Sequence, residues 1–284
     1  MSAIRRVAIV GVGLMGGSLG MALRSQRPQI AVHGITRDAL QAEAALSSGA
    51  VTSAGTSLDQ AAGADVAVIA TPLGSTSQVL RALDRAMPQG LLTDLGSVKD
   101  RVVGWAVKGM ADPDRFLGGH PMAGRTESGL GAARESLFQG APWIFTPRPG
   151  QDLEPFEEWF ACVRAIGARP VFMDPQEHDR RVALVSHVAF LLSSAYAGAV
   201  AASGEPERTA ALGGPGFRDM IRLATGDPRL YAAIAEHNRE ALLSAVDRLE
   251  ASISEYRRRL LAEDASVEEL FEASRAQARG WLRA

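Results

Sequence analysis

Cysteine and lysine are nearly missing from this 284-residue chain. Its one cysteine is Cys162. A single thiol closes no internal disulfide and supplies no cluster for zinc, so a reducing compartment is expected and a metal site is not. Its two lysines are Lys99 and Lys108, so chemistry needing a lysine after residue 174 has none to use. A strong excess of charge is also lacking: the net charge is −2 and the pI about 6.2. Nothing in that balance suggests a nucleic-acid or lipid-surface partner. No apolar run is read as reaching the roughly 18 residues of a membrane span. Met1 leads almost directly into a strand pattern at 6–10, so no signal peptide and a cytoplasmic protein are expected.

What is present is ordinary globular composition, 46% apolar and 22% charged, in a chain long enough for two domains. Val7-Ala8-Ile9-Val10 is a short β-branched run. It enters Gly11-Val12-Gly13-Leu14-Met15-Gly16, and a small-residue helix pattern follows. G-x-G-x-x-G between a strand and a helix is the dinucleotide turn. Gly11 permits the turn, Gly13 clears room for a pyrophosphate, and Gly16 lets the helix pack on the strand. The backbone of Leu14 and Met15 then offers free N–H groups at a positive helix end. A second strand ends in Ile35-Thr36-Arg37-Asp38. An acidic residue at that point binds a ribose 2′-hydroxyl, and an arginine accommodates a 2′-phosphate. Thr36 holds the position here and Arg37 follows, which tilts the reading to NADP⁺ or to use of both. Arg37 as a solvated loop cation, or Asp38 in the acidic role, stays open.

Strand and helix patterns alternate to about residue 173, so 1–173 is read as a doubly wound α/β Rossmann-type domain with a parallel sheet. Three more segments reach its ligand-binding edge. Thr71-Pro72 ends one strand. Ser97, in Gly96-Ser97-Val98-Lys99, follows another, as a ligand contact or as the N-cap of the next helix. Gly118-Gly119-His120-Pro121-Met122-Ala123-Gly124 is read as a tight loop that presents a candidate acid/base. Its glycines are expected to let backbone pass close to cofactor and substrate.

After Asp174-Pro175 strand signals vanish, and 174–284 is read as an all-α domain. A long helix is expected over 177–200, carrying His178, Ser186 and His187. Leu242, Val246, Leu249, Ile253, Tyr256 and Leu260 are spaced as a coiled-coil seam, which points to a homodimer. The last 20 residues read as a polar helix.

In these motifs the chain resembles the prephenate/arogenate dehydrogenase family of tyrosine biosynthesis. The resemblance rests on Gly11–Gly16, Thr71-Pro72, Gly96–Lys99, Gly118–Gly124, Ser186-His187, and Gly216-Phe217-Arg218-Asp219 with Arg222. It implies a Rossmann domain, a helical dimerisation domain, and oxidative decarboxylation with hydride transfer to NAD(P)⁺. It further implies His120 as acceptor of the substrate hydroxyl and Ser97 bonded to both His120 and the substrate, fixing the ring's tautomer. Arg222 would grip a carboxylate or form an interface salt bridge, with His187 as a ligand or a packed side chain; Arg218 is read as structural, paired with Asp219. The chain departs from the family at three points. Phe190 stands where some members have a second histidine, Tyr231 where some have tryptophan, and Arg125 where threonine is common. Arg125 is read as a second carboxylate grip, or as a charge that lowers the His120 pKa. The competing readings are another two-domain NAD(P)-dependent dehydrogenase or a non-catalytic dinucleotide-sensing dimer. Hydroxyacid dehydrogenases of this architecture use a lysine in the helical domain, and this chain has none there.

Overall fold

The computed structural model describes residues 3–262 and 267–282. The N-terminal sheet comprises β1 (Arg6–Val10), β2 (Ala31–Ile35), β3 (Ser53–Gly55), β4 (Val66–Ile69), β5 (Leu91–Asp94), β6 (Phe116–Pro121), β7 (Pro142–Thr146) and β8 (Arg169–Phe172). Their spatial order is β3-β2-β1-β4-β5-β6-β7-β8. Every pairing is parallel except β6 with β7, which runs antiparallel. The doubly wound reading therefore holds, and its all-parallel form is corrected at one ladder.

Strand alternation builds two cores. Val7 and Ile9 of β1, with Val66 and Val68 of β4, face α1 (Leu14–Gln26) and α2 (Ala39–Ser47). Ala8 and Val10, with Ala67 and Ile69, face α3 (Leu73–Ala86) and α4 (Asp100–Gly109). Successive strand side chains point to opposite faces, so a fully apolar strand is what a sheet covered on both sides needs. Trp143, Phe145, Trp159 and Phe160 extend the first core beneath β7, β8 and α5 (Glu157–Ala165).

The second half is helical. Asp174 caps α6 (Pro175–Val182) by accepting from Gln176 and Glu177 N–H, with Pro175 in the first turn. The single helix expected over 177–200 is interrupted. Residues Ala183–His187 wind as a π-turn before α7 (Val188–Ala201), and Val188 N–H donates to Ala183 O. The run Pro175–Ala201 is long and apolar enough to cross a membrane by length and composition, which corrects the expectation that no stretch qualifies. It carries two buried histidines, His178 and His187, and its face packs on α9 (Pro215–Ile221) and on the 3-10 turn Arg222–Thr225. Between α7 and α9 lies the short α8 (Pro206–Ala211).

The stretch from Asp227 to Leu261 forms two helices. These are α10 (Pro228–His237) and α11 (Arg239–Leu261), broken at the buried Asn238. On the seam, Leu242 is buried and Val246 and Leu249 half-buried, while Ile253 and Leu260 are 52% and 66% exposed. Tyr256 instead meets α12 (Val267–Trp281), its hydroxyl 2.8 Å from Ser274 Oγ and its ring 5.2 Å from that of Phe271. The expected terminal helix is thus present over the described part of the last 20 residues.

Candidate active site

The glycine turn has three different reasons for its three glycines. Gly11 sits at φ +95°, where a side chain is strained, and its N–H donates to Ile35 O at 2.8 Å. A Cβ on Gly16 would lie 2.0 Å from Gly11 O, so the helix packs onto the turn only without one. A Cβ on Gly13 would meet nothing within 4 Å. That space lies at the start of α1, whose N-cap is Gly13 and which has no side-chain cap and no acidic residue in its first turn. Uncapped N–H groups of Leu14, Met15 and Gly16 with room in front of them suit a pyrophosphate. On the neighbouring strand end Thr71 Oγ1 is buried without a partner among the described residues, and Pro72 is the N-cap of α3. These features fit a dinucleotide.

At the end of β2 Thr36 is buried, and its hydroxyl donates to Asp38 O at 2.9 Å. The Asp38 carboxylate caps α2 by accepting from Gln41 N–H. Arg37 is 84% exposed, with Asp38 3.6 Å away. The acidic residue of this corner is thus occupied as a helix cap, and Arg37 extends outward.

His120 is not in a loop. It is the fifth residue of β6, paired with Ile144 across the antiparallel ladder, and only 7% exposed. The neighbouring glycines answer to protein rather than ligand. A Cβ on Gly118 would meet Thr146 Oγ1 at 2.4 Å, and one on Gly119 would meet Asp94 O at 2.6 Å. At Gly124 it would meet nothing within 4 Å. Strands β4, β5 and β6 run parallel, so His120 reaches the same edge as Thr71 and the glycine turn.

Around His120 lies a buried polar network. Asp94 and Lys99 form an ion pair with side chains 2% and 0% exposed. They also grip Gly119: its N–H donates to Asp94 Oδ1 at 3.1 Å, and Lys99 Nζ donates to its carbonyl at 2.6 Å. His120 Nδ1 is 2.8 Å from His178 Nε2, and His178 Nδ1 is 2.7 Å from Asp179 Oδ1. Asp179 also accepts from the backbone N–H groups of Lys99 (2.8 Å) and Asp100 (3.0 Å), the first turn of α4. Asn238 Nδ2 donates to Asp179 O at 3.0 Å and lies 3.3 Å from His187 Nδ1. His187 Nε2 is buried with no partner among the described residues.

This environment favours neutral imidazoles. Burial, then the charges of His178, Lys99 and His187, holds the His120 pKa well below its usual value. Burial lowers His178, opposed by its hydrogen bond to Asp179, and brings His187 down to about 4. Burial also lowers Lys99 against the pull of Asp94. The cation acting on His120 is therefore Lys99, not Arg125. Arg125 is exposed and forms a two-pronged pair with Glu127 at 3.0 and 3.2 Å.

Two further expectations change. Ser97 is half-buried at this edge, but among the described residues it bonds neither to His120 nor to a helix end. His178 takes Nδ1 of His120, and the N-cap duty passes to Asp179. Arg222 is exposed on the 3-10 turn after α9 and has no ion-pair partner among the described residues. Arg218 donates to Gly213 O at 3.1 Å rather than pairing with Asp219. Phe190, one turn beyond His187, stacks on Tyr231 with ring centroids 3.3 Å apart and planes 6° apart. The sequence reading gave no role to Asp94, Lys99, His178, Asp179 or Asn238. The signal available for Lys99 was the rarity of lysine in the chain.

Residues 19–172 match a family model described as "Prephenate dehydrogenase, nucleotide-binding domain", and residues 174–275 one described as "Prephenate dehydrogenase, dimerization domain". A prephenate dehydrogenase of Bacillus subtilis (strain 168) is 32% identical over 266 residues, covering 91% of this chain and 71% of that protein. The crystal structure of Synechocystis arogenate dehydrogenase superposes with a TM-score of 0.83 at 26% identity, over 97% of this chain and 99% of that one. That of prephenate dehydrogenase from Aquifex aeolicus gives 0.87 at 25% identity, over 98% and 99%.

Proposed function

The chain belongs to the prephenate dehydrogenase family, and from that premise we propose how its site works. The reaction is oxidative decarboxylation of prephenate or arogenate. Residues 1–173 bind the dinucleotide, and 174–284 carry substrate contacts and pair two copies of the chain. Bound NAD(P)⁺ supplies the hydride acceptor. His120 accepts the proton of the ring hydroxyl at Nε2 while the carbinol carbon gives up its hydride and the ring carboxylate leaves as CO₂. Aromatisation of the ring drives the step, so the residues need only bind, orient and hold one proton.

The observation that carries this reading is His120 itself. It is neutral, buried, on the dinucleotide edge, and its Nε2 has no protein partner among the described residues. Ser97 on the same edge contacts the substrate hydroxyl. Arg222, with no ion-pair partner among the described residues, binds a carboxylate by its planar fork, and His187 Nε2, unpartnered among the described residues, faces substrate. Arg125 takes a carboxylate only by exchanging it for Glu127. The dinucleotide is held by Gly11, Gly13, Leu14, Met15, Gly16, Thr71 and Pro72. Thr36 and Arg37 favour NADP⁺ or use of both forms, since the Asp38 carboxylate of this corner already caps α2 and lies 3.6 Å from Arg37. Exposed Ile253, Leu260 and Val185 support a homodimer that covers them. A cytoplasmic location accords with the single buried thiol.

The test is steady-state reduction of NAD⁺ and NADP⁺ with prephenate and with arogenate, each pair separately. Turnover is expected with at least one pair, and with NADP⁺ in particular. No turnover with any of the four overturns the reading.

A further inference from the structure

His120 has two ring nitrogens, and its task as hydroxyl acceptor requires the proton on Nδ1 and a lone pair on Nε2. A neutral imidazole donates from one nitrogen and accepts at the other. Which tautomer forms is set by the partner of the nitrogen facing away from the reaction. That partner is His178, buried with 0% exposure, whose own far nitrogen meets Asp179. The direction of the whole chain follows from its end. A carboxylate only accepts, and Asp179 already accepts two backbone N–H groups of α4. His178 Nδ1 must therefore carry its proton, which leaves its Nε2 an acceptor. His120 Nδ1 must then donate, which leaves its Nε2 bare.

We propose that His178 and Asp179 are positioning residues that hold His120 in its Nδ1–H tautomer, so that its Nε2 is ready to receive the substrate hydroxyl proton. This rests on the role given to His120 above, and it transfers to His178 the tautomer-fixing duty expected of Ser97. The device also spans the two domains. Asp179 is anchored to the start of α4 and, through its carbonyl, to Asn238, so docking of the helical domain sets the tautomer on β6.

The experiment reads the tautomer directly. The chain has five histidines, so protein labelled with ¹⁵N-histidine gives a countable set of imidazole signals in long-range ¹H–¹⁵N NMR at neutral pH. His120→Asn identifies the His120 pair by its loss. The expected wild-type pattern is a pyrrole-type Nδ1 and a pyridine-type Nε2 at His120. An Nε2–H pattern there overturns the proposal, whether or not the protein turns over any substrate. Two variants supply the kinetic arm. His178→Phe removes the acceptor, and His178→Gln keeps a carbonyl oxygen near the same place. His178→Phe is expected to lower kcat on the order of 10²–10⁴-fold with substrate KM and dinucleotide Kd nearly unchanged. His178→Gln is expected to recover most of that loss. Equal losses in the two variants, each with an intact melting transition, would assign His178 a packing role instead.

Discussion

The backbone N–H of Lys99 donates to the Asp179 carboxylate at 2.8 Å, across the junction of the two domains. A residue of the helical half thus caps a helix of the nucleotide-binding half, while the Lys99 side chain turns inward to Asp94 and Gly119. One residue thereby joins the cap, the ion pair and the strand that carries His120.

Lys99→Met would leave Asp94 buried without its cation. Removing one partner of a buried pair costs about 3–5 kcal/mol. The double variant Lys99→Met/Asp94→Asn should recover part of this, because the carboxylate charge goes as well. Urea unfolding of the wild type, the single variants Lys99→Met and Asp94→Asn and the double variant tests it, and simple additivity of the two single losses would contradict the coupling.

His120→Asn should keep dinucleotide affinity and lose turnover by ~10²–10⁴-fold. In the wild type the acid limb of kcat/KM should lie below pH 6.5. The active form is neutral, and burial first, then His178, Lys99 and His187, lowers its pKa. Activity is then full at neutral pH and falls only when acidification reaches the lowered pKa. An acid limb centred above 6.5 would show the buried environment has been misread.

Stability should also fall on the acid side. His33, His120, His178 and His187 all have lowered pKa values, burial being the first cause in each. Below about pH 6.5 the unfolded chain takes up protons that the folded one refuses, so unfolding becomes easier as pH drops. For His187 this continues to about pH 4. Melting temperatures at pH 7.5, 6 and 5 should decline in that order, and a flat profile would exclude the linkage.

Gly13→Ala and Gly16→Ala should separate binding from folding. The first adds a methyl to open space, so the melting temperature stays and the dinucleotide Kd rises. The second puts a methyl 2.0 Å from Gly11 O, so the protein itself is destabilised. Calorimetric melts with and without dinucleotide distinguish the two, and equal behaviour would remove the pyrophosphate from Gly13.

Arg222→Ala should raise substrate KM roughly 10–100-fold with little change in kcat, as for a charge-assisted hydrogen bond made equally before and during reaction. An unchanged KM would place Arg222 outside the substrate site.

The Rossmann half was legible because its signals are local. A strand, a glycine turn and a helix follow one another at Val7–Leu23, and apolar runs mark β4 and β5. Gly11, Gly13 and Gly16 could each be given a reason from spacing alone. The reasons for Gly118 and Gly119 could not, because Thr146 and Asp94 become their neighbours only once the sheet is assembled. The same holds for His178. It reads as one polar residue in the first turns of a helix, and its partner lies on β6 in the other domain. Arg125 misled in the opposite way. Proximity in sequence put a cation beside His120, whereas a side-chain pair with Glu127 turns it to solvent. Local pattern fixes elements, and the polar network forms between them.

The π-turn at Ala183–His187 has a consequence for how the helical domain can vary. At about 100° per residue, a plain α-helix would place His178 and His187 on opposite faces. The wider turn winds the second part back, and both rings join the cluster around Asp179 and Asn238. The helix is therefore out of phase with itself by design of the site. Deleting one residue between Leu184 and Ser186 would let it close into an unbroken α-helix, with better hydrogen bonding and a smoother ladder. Eight steps of about 100° end about 80° past two full turns, so both histidines would stay on one side, whereas closing the π-turn at full length would set them on opposite faces. Insertions and deletions here are thus filtered by angle rather than by length, a phase constraint that no single substitution reveals.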